Sequence, residues 1–135
     1  GLSSVRERES RFTELCGNTN IPFRISWSEK NNLLSLMEEF AASFKDKSNI
    51  PHGIICGDGE IGIALKKAFL TQGIEDIIVV SVDDFPEAES LSLTVYMQDF
   101  DKLAQKVYQC LYEQNTNADQ WKSSVYPIRG KLIER

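Results

Sequence analysis

Two short apolar runs constrain the chain most. Residues 53–56 (Gly-Ile-Ile-Cys) and 77–82 (Ile-Ile-Val-Val-Ser-Val) are strand-sized. Residues 61–70, between them, read as a helix ended by Gly73. A near-continuous apolar run bounded by turn residues suits a strand covered on both sheet faces. Two such strands with a helix between them imply a parallel pair, because parallel neighbours need a crossover.

The alternation extends in both directions. Residues 7–16 read as a helix with Phe12, Leu15 and Cys16 on one side and Gly17 as its stop. Residues 21–27 place Ile21, Phe23, Ile25 and Trp27 at every second position, the period of a strand. Ser28 is the N-cap expected for a helix running to Phe44, with Leu33, Leu36, Met37, Phe40 and Phe44 as its apolar stripe. Residues 91–98 read as extended. Residues 100–112 read as a helix with Leu103, Val107, Cys110 and Leu111 inward. A polar loop over 115–124 and a closing strand over 125–133, interrupted by Pro127, complete the chain. The expected class is α/β, a three-layer sandwich with a mostly parallel sheet.

Composition narrows the function. At 135 residues a single domain is expected, and 41% hydrophobic with 26% charged residues is ordinary for a globular protein. No apolar run approaches the roughly 18 residues of a membrane span, and the polar first residues do not read as a secretory leader. Fifteen Lys and Arg against twenty Asp and Glu give a formal charge of −5, the wrong sign for a surface that grips nucleic acid. Cys16, Cys56 and Cys110 are odd in number and unclustered, as expected of free thiols in a reducing cytosol. The single histidine, His52, follows Pro51 and has no second imidazole, which argues against a zinc site or a Ser–His–acid triad. No metal or cofactor is expected.

Residues 57–62, Gly-Asp-Gly-Glu-Ile-Gly, form a literal G-x-G-x-x-G between a strand and a helix, with Asp83 ending the next strand. That is the setting of a dinucleotide fingerprint. The fingerprint, however, offers backbone N–H groups to a pyrophosphate, and here Asp58 and Glu60 bring carboxylates into the same turn. An N-cap and a favourable contact with the helix dipole account for both acids.

Open α/β sheets bind ligands beyond the carboxyl ends of their strands. Those ends carry Trp27, then Gly57-Asp58, then Asp83-Asp84. An indole beside carboxylates suits a sugar, whose C–H face stacks on the ring while its hydroxyls donate to the acids. Taken singly, Trp27 also fits a half-buried strand end, Asp58 an N-cap and Asp83-Asp84 a turn. Their placement on one edge is what points to a site.

The segments GIICGDGEIGIAL, GIEDIIVVSVDDFPEAE, LTVYMQDFDKLAQ and KLIER, preceded by LSSVRERESRF, together resemble the LacI/GalR family of bacterial transcriptional repressors. The resemblance covers nearly the whole chain. It implies a periplasmic-binding-protein-like (type I) C-terminal subdomain, with the helix-turn-helix and the N-terminal subdomain not among these 135 residues. It also implies that residues 99–115 form a crossover helix packed on the other subdomain. The effector-binding positions it implies are Arg11 (with Arg8 as the near alternative), Trp27, Asp58, Asp83 and Gln98. Gly57 stands where the family has asparagine, the loop 85–93 is about two residues short, and Val95 replaces a threonine.

The function implied is ligand sensing in a LacI-type regulator. A sugar or related effector would shift the angle between two jaws, and a cytoplasmic homodimer would pass that shift to operator DNA through the absent domain. A periplasmic-type sugar-binding protein and a nucleotide-dependent α/β enzyme using residues 57–62 are the alternatives.

Overall fold

The computed structural model describes residues 2–26, 31–45 and 50–135. Among the described residues the elements follow one another as α1 (Leu2–Thr19), α2 (Leu33–Ala42), β1 (Gly53–Cys56), α3 (Gly59–Gln72), β2 (Ile78–Val82), α4 (Pro86–Ser90), β3 (Thr94–Met97), α5 (Phe100–Thr116) and β4 (Lys131–Ile133). The strands form one sheet in the order β1-β2-β3-β4, with the first two pairings parallel and β3-β4 antiparallel. The expected α/β class with a mostly parallel sheet is what forms.

The core lies between one sheet face and α2 with α3. The register aligns Cys56 with Ser81, Ser81 with Val95 and Val95 with Ile133, so these side chains share a face. Leu65, Ala68 and Phe69 of α3 pack there, joined by Met37, Ala41 and Phe44. Phe40, Phe44 and Phe69 meet edge to face, with ring centres 4.9 and 6.1 Å apart. Gly73, at φ +68°, closes α3 in the left-handed cap expected of a glycine stop.

Among the described residues the opposite sheet face is largely uncovered. Ile55 (59%), Ile78 (68%), Tyr96 (40%) and Leu132 (53%) stand exposed there. Helix α5 buries no residue, so the inward face expected from Leu103, Val107 and Leu111 lies open, and Cys110 is only half-buried. The chain exposes 10424 Å² in all, whereas compact folding at 15.3 kDa leaves about 7,100 Å².

Several sequence expectations need correction. Gly17 does not stop α1, which runs on to Thr19. Residues 21–26 join no strand ladder; Phe23 instead sets its ring edge-on against Phe12 of α1, 5.7 Å between centres. An alternating pattern makes a strand only where a backbone partner is in reach, and β1 forms the sheet edge without one among the described residues. The closing strand shortens to Lys131–Ile133. The extended stretch 91–98 begins later, because Pro86 at the first turn of α4 starts a short helix ahead of it. Helix α2 begins at Leu33 with Asn32, not Ser28, in its cap position; Trp27 and Ser28 themselves lie outside the described residues.

Candidate ligand-binding rim

The carboxyl ends of β1, β2 and β3 supply the candidate groups. After β1, Asp58 caps α3: its Oδ1 accepts from the Glu60 N–H at 2.9 Å. Ser81, fully buried in β2, donates through Oγ to the Asp58 carbonyl at 3.1 Å. That bond ties the β1–α3 turn to the next strand. Burial and then the Asp58 charge push the Cys56 thiol up to about 12, so beside the turn it stays protonated and inert near neutral pH.

The loop after β2 carries Asp83 in the left-handed region, φ +72°. Its N–H continues the ladder to the Tyr96 carbonyl at 3.0 Å. Its Oδ1 accepts from Gln98 Nε2 at 2.7 Å, so the two side chains form one unit across neighbouring strand ends. The unit offers both an acceptor carboxylate and an amide, the pair of functions a hydroxyl needs. Beside it, Asp84 receives both guanidinium nitrogens of Arg135, at 2.8 and 2.9 Å. The Arg135 hydrogen bonds hold the Asp84 carboxyl below its usual range; burial opposes them, and the Arg135 charge and the Phe85 N–H add to the lowering.

Among the positions inferred from the sequence, Asp58, Asp83 and Gln98 come to this rim. Arg11 does not; it pairs with Glu14 on its own helix. Arg8, the near alternative, is the arginine that reaches the rim, where Nη1 donates to the Gly57 carbonyl. Trp27 is outside the described residues. Three contributors went unassigned in the sequence: Ser81, Phe85 and Arg135. The polar interruption of an apolar run marked the first, and the arginine closing KLIER marked the last.

The glycines of residues 57–62 have packing duties. A Cβ on Gly59 would collide with the Phe85 ring and stand 3.2 Å from the Asp83 carbonyl oxygen. A Cβ on Gly62 would meet Ser81 Oγ at 2.5 Å and Ser81 Cβ at 2.6 Å. At Gly57 a Cβ would meet nothing within 4 Å. An aromatic ring thus lies against the first turn of α3, where a dinucleotide would need its phosphates. Among the described residues no group of three or more His, Cys, Asp or Glu side chains could hold a metal ion.

A profile of the periplasmic binding protein-like domain matches residues 1–135. No curated protein matches in sequence. Among solved structures the chain is similar to the Lac repressor bound to ONPG in the repressed state, at 18% identity and TM-score 0.71, over 98% of this chain and 41% of that one. It is similar to a periplasmic binding protein/LacI transcriptional regulator from Alkaliphilus metalliredigens QYMF complexed with D-xylulofuranose, at 17% identity and TM-score 0.68, over 95% and 49%. A dimeric Lac repressor with an 11-residue C-terminal deletion aligns at 20% identity and TM-score 0.57, over 76% and 39%. The chain therefore spans less than half the length of each of these structures.

Proposed function

Because the chain belongs to the family of periplasmic binding protein-like domains, we propose that it senses a small ligand as one jaw of the sugar-binding domain of a LacI-type transcriptional regulator. The observation that carries this reading is the bonded Asp83–Gln98 pair at the strand ends, with the Arg8 guanidinium on the adjoining β1 turn. Asp83 Oδ2 and the Gln98 carbonyl can accept from sugar hydroxyls while the guanidinium donates to them. The role is non-catalytic and needs no cofactor.

In this reading the effector binds between this jaw and a second one. It favours one jaw angle by the difference in its affinity for the two arrangements. A homodimer in the cytoplasm carries the angle to a separate operator-binding domain, since this chain is acidic overall. No helix among the described residues is long and apolar enough to cross a membrane.

The test is a titration of the ¹⁵N-labelled chain with D-ribose, D-xylose and D-galactose, and separately with NAD. A sugar should perturb resonances of Arg8, Asp83 and Gln98 together. Asp83→Ala should weaken it by about 5- to 150-fold, the equivalent of one lost charged hydrogen bond. Unchanged affinity for a responsive sugar in that variant removes Asp83 from the site. Micromolar NAD binding that disappears in Gly59→Val replaces the sensor with a nucleotide enzyme.

A further inference from the structure

Asp83 holds a left-handed backbone conformation that an acidic side chain adopts less readily than glycine. Something must fix it if its carboxylate is to meet Gln98. On its N-terminal side the β2–β3 ladder does so, through the bond from Asp83 N–H to the Tyr96 carbonyl. On its C-terminal side the next residue, Asp84, is gripped by Arg135 through two parallel bonds of 2.8 and 2.9 Å.

That grip is well anchored. The Arg135 side chain is 18% exposed and that of Asp84 21%. The same guanidinium reaches the Leu93 carbonyl at 3.4 Å, and the Arg135 N–H donates to Thr94 Oγ1 at 3.2 Å. Arg135 follows β4 closely, and its partners lie in the loop after β2 and at the start of β3, so one residue joins the last strand to the loop that carries Asp83. The planar fork fixes the orientation of the carboxylate, which a lysine ammonium does not.

We infer that Arg135 is a positioning residue for the Asp83–Gln98 pair, acting through its bidentate grip on Asp84. It touches no ligand. The inference rests on the reading of Asp83 and Gln98 as the ligand-facing pair, but its test needs no sugar, so failure of either is recognised separately.

The experiment follows the Gln98 side-chain amide of the ¹⁵N-labelled chain, assigned by its loss in Gln98→Ala. In the wild-type chain its resonances should sit away from solvent values, held there by the bond to Asp83. Asp83→Ala gives the position of the broken pair. Arg135→Lys and Asp84→Asn should both move the Gln98 resonances to that broken-pair position, while the backbone amides of Val79 and Val95 stay in place. Asp84→Asn preserves both volume and the guanidinium, and decides alone should Arg135→Lys not fold. Folded variants that lose stability yet keep the wild-type Gln98 resonances would overturn the inference, leaving Arg135 as a brace of the sheet only.

Discussion

Gly62→Ala adds one methyl group at the closest approach of α3 to β2. The new Cβ would stand 2.5 Å from Ser81 Oγ and 2.6 Å from Ser81 Cβ. Rotation of the hydroxyl cannot relieve the second contact, so the helix must move. It must do so while Leu65, Phe69 and Leu93, each 1% exposed, hold it against the sheet. Overpacking of this kind costs about 1–3 kcal/mol. Losing the Ser81 bond to the Asp58 carbonyl adds about 0.5–1.5 kcal/mol. The gain in helix propensity returns about 1 kcal/mol. The net expectation is a loss of about 0.5–3.5 kcal/mol in urea unfolding, read as a lower midpoint at unchanged slope. Gly57→Ala, with open space around it, should stay within about 0.5 kcal/mol of wild type. Ser81→Gly removes both colliding atoms, so in the double variant the two costs should fall short of additive by about 1 kcal/mol or more. A Gly62→Ala chain as stable as wild type, or a loss that Ser81→Gly does not relieve, refutes the packing account of these glycines.

The Asp84–Arg135 pair sets an acid limit. The folded carboxyl of Asp84 titrates below its unfolded value near 4, so its contribution is complete above that value and is lost as pH falls through the folded one. Unfolding midpoints should hold between pH 5 and 7, taken as about one unit or more above that value, then fall below about pH 4, and Asp84→Asn should flatten that fall; an unchanged acid limb excludes the pair as its source. The bare sheet face should pair with a second copy of the chain, because exposed Ile55, Ile78, Tyr96 and Leu132 form a contiguous apolar patch of the kind that marks an association surface. Sedimentation should show dimers at tens of micromolar, about the range in which a modest interface holds, and Ile78→Lys with Leu132→Glu should dissociate them; a monomeric wild-type chain refutes this.

Much of the scaffold was legible because it obeys local rules. The apolar run of β1, the glycine stop of α3 and the start of α5 at Phe100 stand where the residues place them. Asp99 caps α5 through a 3.0 Å bond from the Lys102 N–H, the local chemistry that makes helix starts readable. The rim was legible in part. Asp58, Asp83 and Gln98 follow strand ends, so topology alone gathers them. The choice between Arg8 and Arg11 was not legible, since residues three apart share a helix face and only the packing of α1 decides which one reaches the Gly57 carbonyl. Nor was Arg135: its partner is 51 positions away, and no sequence period links β4 to the loop after β2.

The uncovered face has its own record in the sequence. A strand covered on one side alternates apolar with polar residues, whereas 77–82 is apolar at every position but Ser81. Ser81 points into the core, where it is fully buried. The residues that point the other way, Ile78, Val80 and Val82, are all β-branched and apolar. Ile55 joins them across the β1 pairing, while Tyr96 and Leu132 pair directly at the β3–β4 end. A face patterned for water would carry charges there, and its apolar area would be an aggregation hazard if it stayed bare. The pattern therefore specifies a cover for this face as firmly as the glycines specify the close packing of α3. The same logic applies to α5, whose stripe of Leu103, Val107 and Leu111 is apolar in sequence and exposed in the fold. Both surfaces are patterned as interiors although their side chains stand exposed among the described residues.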